Sequence, residues 1–310
     1  MRRDERVFVM GEDVGRRGGV FLATNGFLDE FGESRVMDTP LAESAIAGVA
    51  VGAAMHGMRP IAEIQFGDFI WPVFNQIVGE AARVRYGTKG KLSVPMVLRT
   101  PHGGGVRGAL YHSQSMEAYF YHTPGLKVIA PATPFDAKGL LKSAIRDDDP
   151  VIFLEHKRTY RLVQGEVPDE EYTLPIGKAD VKRQGTDITV VTYGLMVHHC
   201  LEAAQELESE GVSCEVVDVR TLRPLDKDTI LESVVKTGKA LVVHEDNKFG
   251  GVGGEIAATI SEEAFESLDG PVTRLAGPEV PAMPYSPPME DMYMLSSAKI
   301  EDAIRKLSAY

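Results

Sequence analysis

Arg35-Val36-Met37-Asp38-Thr39-Pro40-Leu41-Ala42-Glu43, with Ser44 to His56 behind it, is the stretch that decides how this chain is read. A short apolar strand runs into Thr39-Pro40, and a proline at a first helical position with threonine before it is a helix start signal. The helix that follows is rich in Ala and Gly, so another body can approach its surface closely. Glu43 falls in its first turn. A threonine-capped box would place its glutamate at position 42, which is Ala42, so Glu43 sits one residue late for that task. From the residues alone, complementarity to the helix dipole and a functional carboxyl both stay open.

The same strand-then-helix rhythm extends on either side. Val7-Phe8-Val9-Met10 reads as a buried strand ending at Gly11-Glu12-Asp13, and Arg59 to Phe66 as another. Phe69 to Arg85 reads as a helix with Phe74, Ile77, Val78, Ala81 and Ala82 on one face. Val94–Arg99, Leu126–Ala130 and Val151–Glu155 are strand-like; Pro134–Arg146 is helical, and His102-Gly103-Gly104-Gly105 reads as a flexible loop. Periodicity fades from Arg161 to Gly185, and a second alternating series runs from Ile188 to Ala276. The Pro-rich stretch Pro278–Pro288 and a last helix from Ser297 follow it. The expectation is an α/β chain of two doubly wound domains, 1–165 and a smaller 186–310, joined by a linker at 166–185.

Bulk properties narrow the function. The 310 residues carry 44% hydrophobic and 25% charged side chains, an ordinary globular balance. A formal net charge of -12 argues against nucleic acid or an anionic membrane as the main partner. No apolar run approaches the roughly 20 residues of a spanning helix. The charged start Met1-Arg2-Arg3-Asp4-Glu5-Arg6 lacks the apolar core of a signal peptide. Cys200 and Cys214 show no metal-ligand spacing, so reduced, buried thiols of a cytoplasmic protein are the simplest account.

Phosphate cradles are missing. Gly250-Gly251-Val252-Gly253-Gly254 lacks the third dinucleotide glycine, because Ile256 stands in its place, and Gly90-Lys91 is followed by Leu92 and makes no Walker motif. The eight histidines form no HExxH and no Cys/His cluster. His112, in the polar turn Ala109-Leu110-Tyr111-His112-Ser113-Gln114-Ser115, suits either an acid/base group or a hydrogen-bonded structural histidine. Ser113 and Ser115 lack the Gly-x-Ser-x-Gly elbow of a serine hydrolase.

A co-linear set of motifs goes further: Val9-Met10-Gly11-Glu12-Asp13-Val14, Asp38–Glu43, Glu63-Ile64-Gln65-Phe66, Tyr111–Ser115, Pro124–Val128, Asp136–Leu141 and Asp218–Asp226. With these the chain resembles the β subunit of the thiamine-diphosphate-dependent 2-oxo acid dehydrogenase E1 component, over nearly its whole length. The resemblance implies a pyrimidine-binding-type domain followed by a transketolase C-terminal-type domain. It also implies an α2β2 heterotetramer whose α subunit grips the diphosphate and Mg²⁺, and an E2 lipoyl acyltransferase as further partner. Glu43 would share a proton with the aminopyrimidine N1′, so that the 4′-imino nitrogen can take the thiazolium C2 proton.

By the same carry-over Glu12, Leu41, Ala42, Gln65 and Phe69 line the cofactor, and Phe66, Asp68 and His112 face the substrate. His112 would be the acid/base group that aids acyl transfer to the lipoyl arm. A K⁺ site would use Val94, Met96, Ala144, Asp147 and Asp149. Family members often carry Tyr at the Phe69 position and a further helical segment upstream of Arg2–Val7. Glu63 to Pro72 and Tyr111–Ser115 are closer to branched-chain 2-oxo acid enzymes than to pyruvate or acetoin enzymes. A non-catalytic E2-docking subunit using the Pro-rich C-terminal stretch, and a single-chain thiamine enzyme, are the competing readings. The latter would need a Gly-Asp-Gly…Asn motif that this sequence lacks.

Overall fold

A computed structural model describes residues 1–310. The first half builds β1 (Val7–Gly11), α1 (Phe27–Phe31), β2 (Val36–Asp38), α2 (Glu43–Met55) and β3 (Arg59–Glu63). It continues through α3 (Ala82–Gly87), β4 (Val97–His102), α4 (Glu117–Tyr121), β5 (Lys127–Ile129), α5 (Pro134–Arg146), β6 (Val151–His156) and α6 (Thr159–Leu162). The second half contributes β7 (Asp180–Arg183), β8 (Ile188–Thr192), α7 (Met196–Glu208), β9 (Cys214–Asp218), β10 (Thr221–Arg223) and α8 (Lys227–Thr237). It ends with β11 (Ala240–Asn247), α9 (Val252–Glu263), β12 (Thr273–Gly277), α10 (Pro287–Tyr293) and α11 (Ser297–Ser308). These strands form two sheets, in the orders β10-β5-β6-β4-β3-β1-β2 and β12-β11-β8-β9-β7. Two α/β units with parallel-rich sheets are therefore present, as the alternation implies.

The strands β1, β3, β4 and β6 are buried along almost their whole length because helices cover both faces. On one face α2 lays Ile46, Ala47, Ala50, Val51 and Ala54 against the sheet, inside a core cluster of 37 buried residues. On the other, Leu140 and Ala144 of α5 meet Val97, Ile129 and Phe153. Cys200 and Cys214 are free, buried thiols, and burial pushes Cys214 up to about 11. No helix is long and apolar enough to cross a membrane.

Several local expectations change. α2 starts at Glu43 with Ala42 as its uncapped N-cap, not at Thr39-Pro40. The Thr39 hydroxyl is buried without a partner, while its N–H donates to Gly11 O at 3.0 Å and so extends the β1–β2 pairing. Residues 69–85 are not one helix. Two 3₁₀ turns, Gly67–Phe69 and Trp71–Val73, precede a π-helical segment, Asn75–Ala81, and then α3. Pro72 lacks the N–H a continuous helix requires there, and the wide π turn still keeps Ile77 and Ala81 buried.

The end of the expected linker forms β7, antiparallel to β9 at the sheet edge. Its Asp-Val-Lys-Arg sequence is half-buried throughout, so no apolar alternation marks it. The Pro-rich 278–288 stretch contains the start of α10, because Pro287 and Pro288 fall at its first two positions, where no N–H is needed.

The two units interlock. β10 leaves the second unit and pairs antiparallel with β5 at the edge of the first sheet. The Asp136 carboxylate on α5 takes Lys182 Nζ at 2.8 Å and Arg220 Nε at 3.0 Å from the second unit. The glycine loop after β4 packs closely against the ends of β6 and β11. Gly103 has φ +83, and a Cβ there would lie 2.1 Å from the His156 ring; Gly104 N donates to Glu245 Oε1 at 2.6 Å. These glycines serve close approach.

Candidate active site

Side chains designated from the sequence gather beyond the carboxyl ends of β1, β2, β3 and β4. Chain order and sheet order reverse between β1 and β3, since β1 connects to β2 on one side and β3 returns on the other. Such a switch point is where open α/β sheets hold ligands. Glu12 follows β1 and Gln65 follows β3, while Glu43 opens α2. A Cβ on Gly11 would lie 2.7 Å from Glu63 O, so glycine lets these two strand ends close together.

Glu12 is the most informative residue of the group. It is 5% exposed, and neither carboxylate oxygen has a hydrogen-bond partner. Burial raises its pKa, with the Glu43 and Asp13 carboxylates adding to the rise. An unsatisfied buried carboxyl costs free energy that folding alone does not recover. Glu43 beside it is half-buried at the end of an uncapped helix. Leu41 is 83% exposed. The site is thus open on one side and lined by small or acidic groups. Gln65 donates to Asp13 Oδ2 at 3.0 Å across this opening.

The second part of the site is aromatic. His112 packs edge-on against Phe66, with ring centroids 4.6 Å apart, and against Phe69 at 5.4 Å. Phe66 and Phe69 are themselves edge-to-face at 5.9 Å. A Cβ on Gly108 would lie 2.8 Å from His112 Cβ, so the turn can fold back on the histidine only with glycine there. Asp68, 6% exposed, accepts the Gln114 N–H at 3.3 Å, and burial raises its pKa against the pull of that bond and of Lys157. The structure therefore brings Glu12, Glu43 and Gln65 into one group and Phe66, Asp68, Phe69 and His112 into a second, joined through the short connection after β3. Ala42 contributes backbone at the head of α2.

The five residues of the expected K⁺ site lie apart from both groups. The carbonyls of Val94, Met96 and Ala144 each accept one backbone N–H, which leaves one lone pair per oxygen. The Asp147 and Asp149 carboxylates face Lys127 Nζ at 2.6 and 3.4 Å, so only backbone oxygens are free for a cation. No group of three or more His, Cys, Asp or Glu side chains is arranged to hold a metal ion. A cavity of about 410 Å³ opens between α5 and the sheet, against Val9, Ile61 and Phe153, and contains none of the designated residues.

Sequence reading missed the buried set behind the His112 turn. His156 Nε2 meets Glu245 Oε2 at 2.8 Å across the two units, Tyr193 OH donates to Glu117 Oε1 at 2.8 Å, and Lys157 is buried between them and Asp68. The only signal in sequence is the density of charge in otherwise apolar strand ends, Leu154-Glu155-His156-Lys157 and Val243-His244-Glu245-Asp246.

Residues 1–163 match the transketolase pyrimidine binding domain and residues 177–300 the transketolase C-terminal domain. The chain is 62% identical over 310 residues to the 2-oxoisovalerate dehydrogenase subunit beta of Bacillus subtilis (strain 168), covering 100% of this chain and 95% of that one. It is 50% identical over 307 residues to the pyruvate dehydrogenase E1 component subunit beta of the same organism, covering 99% and 94%. Among solved structures, a split-gene transketolase described as an inactive β4 tetramer superposes with a TM-score of 0.80 at 24% identity, over 99% of this chain and 93% of that one.

Proposed function

The chain belongs to the β-subunit family of thiamine-diphosphate-dependent 2-oxo acid dehydrogenase E1 components, and from that premise we propose that it acts on branched-chain 2-oxo acids as one wall of a site completed by an α subunit. The observation that carries the reading is the Glu12–Glu43 pair, two adjacent carboxyls at the switch point, one of them buried with no partner. Their chemistry fits a ring with proton-bearing nitrogens, the aminopyrimidine of thiamine diphosphate. When bound, that cofactor supplies the carbanion-stabilising chemistry needed for decarboxylation. Glu43 would exchange a proton with the pyrimidine N1′, while Leu41, Ala42, Gln65 and Phe69 hold the ring and exclude water. His112, with Phe66 and Asp68 beside it, would pass a proton during acyl transfer to the lipoyl group of an E2 acyltransferase.

The diphosphate and Mg²⁺ would be gripped by the α subunit of an α2β2 assembly. A K⁺ ion would bind the backbone oxygens of Val94, Met96, Ala144, Asp147 and Asp149, stiffening the loop between α5 and β6. The apolar wall of Phe66, Phe69 and His112 suits a branched side chain, and the greater identity to a 2-oxoisovalerate enzyme favours the same choice.

Pyruvate is the second reading, supported by the 50% identical relative. One methylene in such a pocket is worth only about 1–3 kcal/mol. The test assembles the chain with an α subunit and thiamine diphosphate and compares kcat/KM for 3-methyl-2-oxobutanoate and pyruvate. Glu43→Gln should lower decarboxylation by roughly 10²- to 10⁴-fold. Near-normal turnover in that variant would overturn the assignment, and a preference for pyruvate would install the second reading.

A further inference from the structure

Lys157 directly follows β6 and is 3% exposed, yet its Nζ has no hydrogen-bond partner. Burying an ammonium without a hydrogen bond is costly, and a methionine would fill the same space without that cost. What surrounds it gives the charge a purpose. Burial brings its pKa down to about 8 against the opposing pull of the Asp68 and Glu245 carboxylates. The Phe66 ring centroid lies 6.0 Å from Nζ. The neighbouring His102 is buried, and burial holds its pKa well below the ordinary histidine range.

Both carboxylates grip the segment that bears His112. Glu245 accepts the Gly104 N–H at 2.6 Å and the Ser115 hydroxyl at 3.4 Å, and Asp68 accepts the Gln114 N–H at 3.3 Å. Phe66, under the ammonium, is the ring against which His112 packs. The Phe66 ring and the Asp68 carboxylate that meet this turn thus both lie by one buried cation, while Glu290 of α10 holds its other end through the Gly105 and Arg107 N–H groups.

We propose that Lys157 is a positioning residue of the acyl-transfer site: its ammonium, buried beneath the Phe66 ring and facing Asp68, steadies the ring and the carboxylate that meet the His112 turn, so that His112 stands against Phe66 and Phe69. The inference rests on the reading of His112 given above. Glu245 on β11 holds the same segment from the second unit, through the Gly104 N–H.

The experiment uses the complex reconstituted with an α subunit and thiamine diphosphate. Wild type, Lys157→Met and the charge-balanced Asp68→Asn/Lys157→Met double variant are compared by hydrogen exchange over residues 108–116. They are also compared by the separate rates of decarboxylation, read with an artificial electron acceptor, and of acyl transfer to a lipoyl domain. Lys157→Met should speed exchange at the Gln114 amide and slow acyl transfer by roughly 10- to 100-fold, with KM for the 2-oxo acid within about twofold of wild type. The double variant should recover part of both losses, and should be the better folded of the two if Lys157→Met proves insoluble.

Wild-type exchange and acyl transfer in Lys157→Met would overturn the proposal, as would failure of both variants to fold, which would make Lys157 a requirement of the fold alone. Glu43→Gln run alongside separates the two claims. If it too leaves turnover intact, the reading of the site fails; if it abolishes turnover while Lys157→Met changes nothing, only the positioning role falls.

Discussion

Two buried carboxylate groups sit at the ends of neighbouring strands in the first sheet, and they are solved in opposite ways. At Arg99, on β4, the guanidinium takes Glu155 through both oxygens, at 2.6 and 2.5 Å, and also takes Glu63, while Tyr160 OH donates to Glu155. Burial raises the Glu63 pKa, and Arg99 opposes the rise. One strand further along, Glu12 is just as enclosed, but its neighbours are Glu43 and Asp13, so every influence on it acts in one direction. Where the fold supplies the countercharge, the carboxylate belongs to the scaffold. Where it withholds one, as at Glu12, the carboxyl stays unpaired within the chain, which is what the proposed ligand role requires.

That distinction is open to test, most severely at Arg99. Arg99→Met leaves Glu63 and Glu155 facing each other without a cation, and breaking a buried ion pair from one side costs about 3–5 kcal/mol. The expected outcome is an unfolding free energy lowered by that amount, read as a lower urea midpoint with an unchanged slope. A loss under about 1 kcal/mol would mean that the guanidinium is not what holds this cluster, and the comparison with Glu12 would lose its reference.

The interface between the units offers an intermediate case, resolved by pH. Burial, and then the Asp246 carboxylate, push Glu117 from 4.5 up to about 8, with Tyr193 OH donating to it. Burial would likewise raise Glu245, yet His156 and the Gly104 N–H bring it down to about 2. A carboxyl whose folded pKa exceeds its unfolded value binds its proton more tightly in the native state. Its contribution is therefore present below about pH 4.5 and is lost as pH rises towards 8. Glu245 has the opposite sign and contributes above its unfolded value. Glu117→Gln should flatten the fall in Tm between pH 5 and pH 8, gaining most at the alkaline end. An unchanged Tm–pH curve would show that Glu117 titrates normally.

These contrasts mark what the sequence could disclose. Strand–helix alternation, the two units and the position of α2 follow from side-chain periodicity, which burial on both faces of a parallel sheet enforces. Glu43 is legible only as a glutamate misplaced for a cap at Thr39, and the structure changes that frame: Ala42 is the N-cap and Glu43 the first helical residue. The start signal at Thr39-Pro40 misleads: Thr39 still extends the β1–β2 pairing through its N–H to Gly11 O, and the helix begins at Glu43.

Residues 69–85 show a helical apolar period while the backbone turns as 3₁₀ and π, because periodicity reports the buried face and not the hydrogen-bond ladder. Pairing of β10 with β5 depends on a contact between units, and the partnerless state of Glu12 and Lys157 depends on what surrounds them in space. Neither leaves a local pattern. The family motifs name Glu12 and His112, but only geometry exposes Lys157 as a buried charge beside Phe66.

The smallest effect is expected at Glu12 itself, and it is the one that separates structure from function most directly. If its carboxyl is held for a ligand and not for the fold, Glu12→Gln should leave stability within about 1 kcal/mol of wild type. Because burial and Glu43 raise its pKa, the native state holds this proton more tightly than the unfolded chain does. Its contribution is thus lost as pH rises, and any gain from a neutral amide appears above about pH 5. Urea titrations at pH 5 and pH 8 measure this directly, and thiamine diphosphate affinity of the reconstituted complex measures the other side. A stable variant with weakened cofactor binding fits a carboxyl left open for the pyrimidine. A variant as destabilised as Arg99→Met would place Glu12 in the scaffold, and an unpartnered buried carboxylate in this sheet would then no longer mark a ligand.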